Sequence, residues 1–98
     1  MESKIQSPET DALFQAVLSL HTLEDCYRFF EDICTIKEVR DISQRLEVAR
    51  MLKAGDTVAS IAQRTGASTT TVSRVNRCLH YGAGGYDLVL SALSDDQK

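Results

Sequence analysis

Helix start signals recur along this chain, and their recurrence constrains its fold more than any other feature. Hydroxyl residues that can cap a helix N-terminus precede five stretches in which apolar residues follow a helical period. Thr35 and Glu38 have the spacing of a capping box, in which each side chain bonds the backbone N–H of the other residue. No segment shows sustained strand alternation with hairpin turns. The chain is therefore predicted to be all-α, with caps at Ser7, Thr22, Thr35, Thr57 and Ser68.

The predicted helices fall into a single domain with several functional parts. A polar N-terminal tail is expected to be flexible, and glycine-rich residues 82–85 are expected to form a flexible hinge before the last helix. Gly55 lies where a helix C-terminal cap belongs. The predicted parts of the domain 1–98 are the tail 1–6, the dimerisation helices 7–55, a helix-turn-helix at 57–81 and a C-terminal helix at 86–94.

Each of these helices carries an apolar face that we expect to be buried. A chain of 98 residues buries only about 60–65% of its unfolded surface, so its own core is small. The apolar load of the first three helices therefore predicts an obligate dimer. The expected faces are Leu13, Phe14, Val17 and Leu18; Leu23, Cys26, Tyr27, Phe30, Ile33 and Cys34; Ile36, Val39, Ile42, Leu46, Ala49 and Leu52; and, in the last helix, Leu88, Val89 and Leu93.

Composition and cysteine spacing exclude several classes of protein. The chain has 43% hydrophobic and 26% charged residues, and no run of apolar residues approaches the 20 or so that span a bilayer. Its N-terminus also lacks the pattern of a secretory signal. We therefore expect a cytoplasmic protein without a membrane partner. Cys26, Cys34 and Cys78 match no disulfide or zinc pattern and are interpreted as buried structural thiols. Cys78 and His80 alone cannot supply the four ligands of a zinc site, so no metal or cofactor is predicted.

Charge is segregated along the chain, although the net charge is only −3. Residues 1–34 carry two basic and seven acidic side chains. Residues 57–86 carry Arg64, Arg74 and Arg77 and no acidic side chain. Phosphate binding requires local positive potential, and acidic charge elsewhere is compatible with it. The segment 57–86 is therefore the candidate for contact with nucleic acid.

The same segment has the pattern of a helix-turn-helix. A short helix offers Val58, Ile61 and Ala62 to the interior, the turn Thr65–Ser68 contains a glycine, and the second helix packs through Val72, Val75 and Leu79. A rotation of about 100° per residue around the helix axis places hydroxyls and guanidinium groups on the opposite face of that second helix. A recognition helix in the major groove needs such groups. The candidate DNA-binding residues are Ser68, Thr69, Thr70, Thr71, Ser73, Arg74 and Arg77.

Two alternative functions are compatible with a helical chain of this kind. A protein-interaction adaptor would use the acidic N-terminal face and would not bind DNA. An enzyme would need a perturbed acid–base pair in a cleft. Glu38, Glu47, His21 and His80 show no spacing that corresponds to a reaction, so no catalytic residue is predicted.

Three stretches make the sequence recognisable. Cys26–Ile36, Gln44–Leu52 and Thr65–Gly82, within a likeness that runs from Leu13 to Tyr86, resemble the YerC/YecD branch of the trp repressor-like proteins. The resemblance implies a six-helix chain that interlocks with a second copy, presents two helix-turn-helix heads to double-stranded DNA and regulates transcription, as a repressor.

The resemblance also implies a possible effector pocket. In the repressor, one arginine on the third helix and one on the recognition helix hold the indole of tryptophan, and these positions correspond to Arg45 and Arg74. The next position, a glycine in the repressor, is Val75 here, and the serine three residues further on is Cys78. We expect Val75 to fill the pocket, so tryptophan is not the predicted effector and no other effector is identified. An ion pair and a phosphate contact are the simpler roles for the two arginines.

Overall fold

The computed structural model describes the backbone of residues 3–96 and the side chains of residues 3–94. This part of the chain contains six α-helices and no β-strand, which confirms the all-α prediction. Met1 and Glu2, the first residues of the predicted flexible tail, lie outside it. The helices are α1 (Pro8–Leu18), α2 (Leu23–Ile33), α3 (Ile36–Lys53), α4 (Val58–Thr65), α5 (Thr69–Tyr81) and α6 (Gly85–Asp96).

Local hydrogen bonds explain where these helices begin. Each of the five predicted cap residues accepts a hydrogen bond from a backbone N–H in the first turn of its helix. At α3 the box is reciprocal, because the N–H of Thr35 donates to a Glu38 carboxylate oxygen at 2.8 Å and the N–H of Glu38 donates to the Thr35 hydroxyl at 3.1 Å. These bonds satisfy donors that would otherwise lack partners at the helix ends.

The end of α3 is also set by local geometry. Gly55 has φ +92°, a backbone conformation that residues other than glycine rarely adopt. The N–H of Asp56 donates to the Met51 carbonyl and that of Gly55 to the Leu52 carbonyl, both at 3.1 Å. This is the double bond pattern of a Schellman motif, so the predicted C-terminal cap at Gly55 is confirmed.

The chain divides into two compact units, with the boundary between Val39 and Arg40 inside α3. We call them the N-terminal unit and the C-terminal unit. That residues 1–98 form one domain remains a prediction. In the C-terminal unit, helices α3, α4 and α5 enclose the core, and Tyr86 and Leu90 of α6 pack against it. The buried core residues are Val48, Ala49, Met51, Ile61, Ala67, Val72 and Val75.

The described residues of the N-terminal unit bury no side chain fully. Leu18 and Leu23 are each 74% exposed, and Phe14 and Tyr27 are also exposed. The apolar faces of α1 and α2 are therefore exposed in a single chain, and their burial by a second copy remains a prediction. Two short amphipathic helices have too little surface to form a core without further partners.

The predicted apolar face of α6 needs correction. The face of α6 that meets the core holds Tyr86 and Leu90, whereas the predicted Leu88, Val89 and Leu93 are exposed. The helix begins at Gly85, inside the predicted hinge, and ends two residues later than predicted.

The three cysteines were expected to be buried, but none of them is fully buried. Cys78 is exposed, and Cys26 and Cys34 are half-buried. No helix in the described residues combines the length and apolarity needed to cross a bilayer.

Candidate nucleic-acid interface

The helices α4 and α5 form the predicted helix-turn-helix. Ile61 of α4 and Val72 and Val75 of α5 are buried in the core of the C-terminal unit, and Leu79 packs against that core. Val58, also predicted to point inward, is 40% exposed, because the first residue of a short helix lies at the edge of the packing surface. One face of α5 is therefore fixed by packing, and the opposite face is free to bind a ligand.

Hydrogen bonds fix the turn between the two helices. Gly66 ends α4 with φ +76°, and its N–H donates to the Ala62 carbonyl at 3.0 Å. The Thr65 hydroxyl donates to the Ile61 carbonyl at 2.7 Å and accepts from the N–H of Ala67 at 3.1 Å. The turn is thus determined by the left-handed glycine and by the hydroxyl beside it.

The seven candidate DNA-binding residues divide into two groups. Ser68 and Thr71 belong to the cap of α5, because the Ser68 hydroxyl accepts from the N–H of Thr71 and also bonds the Thr71 hydroxyl, both at 3.0 Å. Thr71 is half-buried. The remaining candidates are exposed along α5, as the helical spacing predicts: Thr69, Thr70, Ser73, Arg74 and Arg77.

Ion pairing distinguishes the basic side chains of the C-terminal unit. Arg64 lies 3.8 Å from the Asp56 carboxylate. On α3, Glu47 contacts Arg50 and raises its pKa above the ordinary value, and Lys53 contacts Asp87. Arg74 and Arg77 have no acidic partner among the described residues. The positive charge of these two exposed guanidinium groups is therefore not compensated by a neighbouring carboxylate.

The four residues of the possible effector pocket differ in burial. Val75 is 2% exposed and belongs to the core, Arg45 is half-buried, and Arg74 and Cys78 are exposed. Two open cavities in the C-terminal unit, of about 420 and 230 Å³, are lined by Ala54 and by residues of α3, α5 and α6, but by none of these four. The expected ion pair of Arg45 is also not found in the described part of the chain.

Two residues of this region were not predicted from the sequence. The Gln44 side-chain amide donates to the Thr65 carbonyl at 3.2 Å, and no local pattern indicates a bond across 21 residues. Tyr81, the last residue of α5, is 86% exposed. Its spacing of four residues from Arg77 could have placed it on the same face.

Sequence comparisons identify relatives of this chain. The family model for the Trp repressor protein matches residues 8–94. YerC, an uncharacterized protein of Bacillus subtilis (strain 168), is 51% identical over 94 residues, which cover 96% of this chain and 90% of YerC.

Solved structures show the same likeness. A TrpR like protein from Eubacterium eligens ATCC 27750 superposes with a TM-score of 0.89 and 53% identity, over 93% of this chain and 94% of that one. A candidate Trp repressor from Staphylococcus aureus also superposes with a TM-score of 0.89, at 46% identity, over 93% of this chain and 91% of its own. The resemblance noted in the sequence is thereby confirmed, and the chain belongs to the trp repressor-like family.

Proposed function

We propose that this protein is a sequence-specific DNA-binding regulator of transcription, a repressor, which acts as a dimer in the cytoplasm. The observation that carries the proposal is the exposed face of α5, where Arg74 and Arg77, within a helix-turn-helix, lack acidic partners among the side chains that the structure describes. Membership of the trp repressor-like family supports a regulator rather than an enzyme.

The face of α5 offers two kinds of contact to double-stranded DNA. The hydroxyls of Thr69 and Thr70 lie in the first turn of the helix, and the N-terminal residues of a recognition helix contact base edges in the major groove. Arg77 lies about 10 Å further along the axis, at a rise of about 1.5 Å per residue, where phosphates are within reach. We therefore assign base contact to the threonines and phosphate contact to Arg77.

The apolar surface of the N-terminal unit supports the dimer. Its exposed side chains include Phe14, Leu18, Leu23 and Tyr27, which a soluble monomer would leave in water. Surface of this kind marks an interaction site. A second copy of the chain would bury it, and a dimer of helix-turn-helix units binds two half-sites about one turn of DNA apart.

The burial of Val75 supports a regulator that does not use tryptophan. We infer that this core side chain occupies the place that the family resemblance assigns to the ring. The protein would then bind DNA without an effector or respond to a different small molecule.

Selection from a random duplex pool tests the proposal most directly. We expect enrichment of a palindromic sequence, and a binding constant for it that falls steeply as salt concentration rises. Absence of binding to any duplex at low salt would contradict the proposal. It would favour the adaptor, in which the acidic N-terminal face of the helical dimer binds another protein.

A further inference from the structure

Tyr81 is the most exposed large apolar or aromatic side chain that the structure describes, at 86%. Its ring contacts that of His80, with centroids 6.2 Å apart, and its hydroxyl has no hydrogen-bond partner among the described residues. Tyrosine combines an apolar ring with a polar hydroxyl and is enriched at interfaces. The exposed ring and hydroxyl of Tyr81 are therefore available for contact with a ligand, and its position on α5 decides which ligand.

The position of Tyr81 around α5 identifies that ligand. Thr70, Arg74, Arg77 and Tyr81 follow one another at spacings of four, three and four residues. At 3.6 residues per turn they fall within a sector of about 60°, opposite the core positions of the same helix. Tyr81 thus continues the face that carries the guanidinium groups of Arg74 and Arg77.

The position of Tyr81 along α5 identifies the part of the DNA that it meets. Eleven residues separate it from Thr70, which corresponds to about 16 Å along the helix axis. The major groove is only about 12 Å wide, and the start of a recognition helix lies at the bases. With the first turn of α5 at the bases, we expect its last turn to lie beyond the groove, beside the sugar–phosphate backbone.

We propose that Tyr81 is a DNA backbone contact, whose hydroxyl donates a hydrogen bond to a phosphate oxygen while its ring packs against the adjoining sugar. Tyrosine is among the side chains that make such positioning contacts. This inference rests on the proposed function and extends its binding surface by one residue beyond Arg77.

The contribution of a neutral hydrogen-bond donor to DNA affinity depends on salt concentration differently from that of a cation. Arg77 would displace counterions from a phosphate, so its contribution depends on salt. The Tyr81 hydroxyl carries no charge and would displace none. Loss of the hydroxyl should therefore weaken binding by the same factor at every salt concentration.

The test compares Tyr81→Phe with the wild-type chain on a selected duplex and on mixed-sequence duplexes, over a range of salt concentrations. We expect binding about threefold to tenfold weaker on all of them, the loss that one ordinary hydrogen bond gives, with an unchanged salt slope. Tyr81→Ala should weaken binding further, because it also removes the ring. Ser91→Ala removes an exposed hydroxyl of α6 that belongs neither to the face of α5 nor to the apolar surface of α1 and α2, so it is the control and should bind as the wild type.

A second measurement locates the contact on the DNA. Single phosphates of the selected duplex are replaced by uncharged methylphosphonates. At one position in each half-site the replacement should weaken the wild type more than Tyr81→Phe.

Each other result has a distinct meaning. If the wild-type chain binds none of the duplexes, the proposed function and this inference are both overturned. Wild-type binding with an unaffected Tyr81→Phe overturns the inference alone. A change of sequence preference in Tyr81→Phe, or a lower sedimentation mass of Tyr81→Ala, also overturns it, in favour of a base contact or a protein interface.

Discussion

The Gln44 side-chain amide donates a hydrogen bond to the Thr65 carbonyl across 3.2 Å, which joins the middle of α3 to the turn of the helix-turn-helix. Thr65 also holds that turn through its hydroxyl, bonded to the Ile61 carbonyl and to the N–H of Ala67. Both Gln44 and Thr65 are half-buried, so water replaces these bonds only in part. Gln44 thus positions the turn from which α5 begins.

We predict that Gln44→Leu lowers the free energy of unfolding by about 1 kcal/mol, because the Thr65 carbonyl loses its side-chain donor. DNA affinity should fall as well, since the turn is held less firmly. Urea unfolding at a fixed protein concentration measures the first effect. Gln63→Leu makes the same change at an exposed position of α4. If the two variants unfolded alike, the bond would have no special part in holding the turn.

Local sequence patterns predicted the helix starts well because a cap is a local structure. Thr35 and Glu38 are three residues apart, so their reciprocal bonds depend on little beyond the backbone between them. The same is true of Gly66, where a left-handed residue is needed to end α4. The exposed face of α5 could be predicted by the same reasoning. The inward-facing residues Val72, Val75 and Leu79 occupy one side of the helix, so the arginines must lie on the opposite side.

The packing of α6 could not be predicted in this way. Leu88, Val89 and Leu90 are consecutive, so apolar residues occupy several faces of the helix and periodicity cannot choose among them. Contact with the core selects Leu90. Cys78 shows a related error, because the usual burial of cysteine is overridden by a position away from the packing residues of α5.

The capping box of α3 makes stability depend on pH in the acid range. Hydrogen bonds from the backbone and the side chain of Thr35 lower the pKa of Glu38 from its ordinary value of 4.5. A lowered pKa gives stability that is present above 4.5 and is lost as the pH falls through the folded-state value.

We therefore predict that the urea midpoint of Glu38→Gln falls less than that of the wild type between about pH 5 and pH 3. Glutamine keeps an acceptor for the Thr35 N–H and does not titrate. Glu24→Gln, in the first turn of α2, removes a carboxylate that makes no such capping bond among the described residues and is the control. Equal pH profiles for Glu38→Gln and the wild type would refute the role of the box.

Two substitutions on α5 separate phosphate contact from base contact. Arg77→Ala should weaken binding to all duplexes alike and reduce the salt slope by about one unit, as loss of one phosphate contact does. Thr70→Ala should instead change sequence preference, with nonspecific affinity nearly unchanged. Binding titrations on the selected and mixed duplexes measure both. If both variants kept wild-type affinity and preference, the assignment of α5 as the recognition helix would be wrong.

The exposed apolar surface of α1 gives a prediction about assembly. At micromolar concentration the wild-type chain should sediment with twice its mass of 10.9 kDa, and its unfolding midpoint should rise with protein concentration. Phe14→Glu places a charge on that surface and should shift the equilibrium toward monomer. Gln15→Glu adds the same charge at a neighbouring polar position and is the control. A monomeric wild type with a concentration-independent transition would exclude the dimer.

The last prediction is that tryptophan is not the effector, and it rests on the burial of Val75. A β-branched side chain has a restricted first torsion, and Val75 is packed in the core, so it cannot readily turn away from an entering ring. Forcing a large ring against it carries an overpacking cost of about 1–3 kcal/mol. That cost weakens a micromolar ligand by a factor of about 5 to 150.

Calorimetric titration of the wild-type chain with tryptophan should therefore show no saturable binding near micromolar concentration, and tryptophan should leave DNA affinity unchanged. Val75→Ala removes two methyl groups from the same position and serves as the comparison. If the pocket is where the family resemblance places it, between Arg45 and Arg74, this variant should bind tryptophan more tightly than the wild type. Micromolar binding by the wild type, with tighter DNA binding, would show that Val75 does not block the ring.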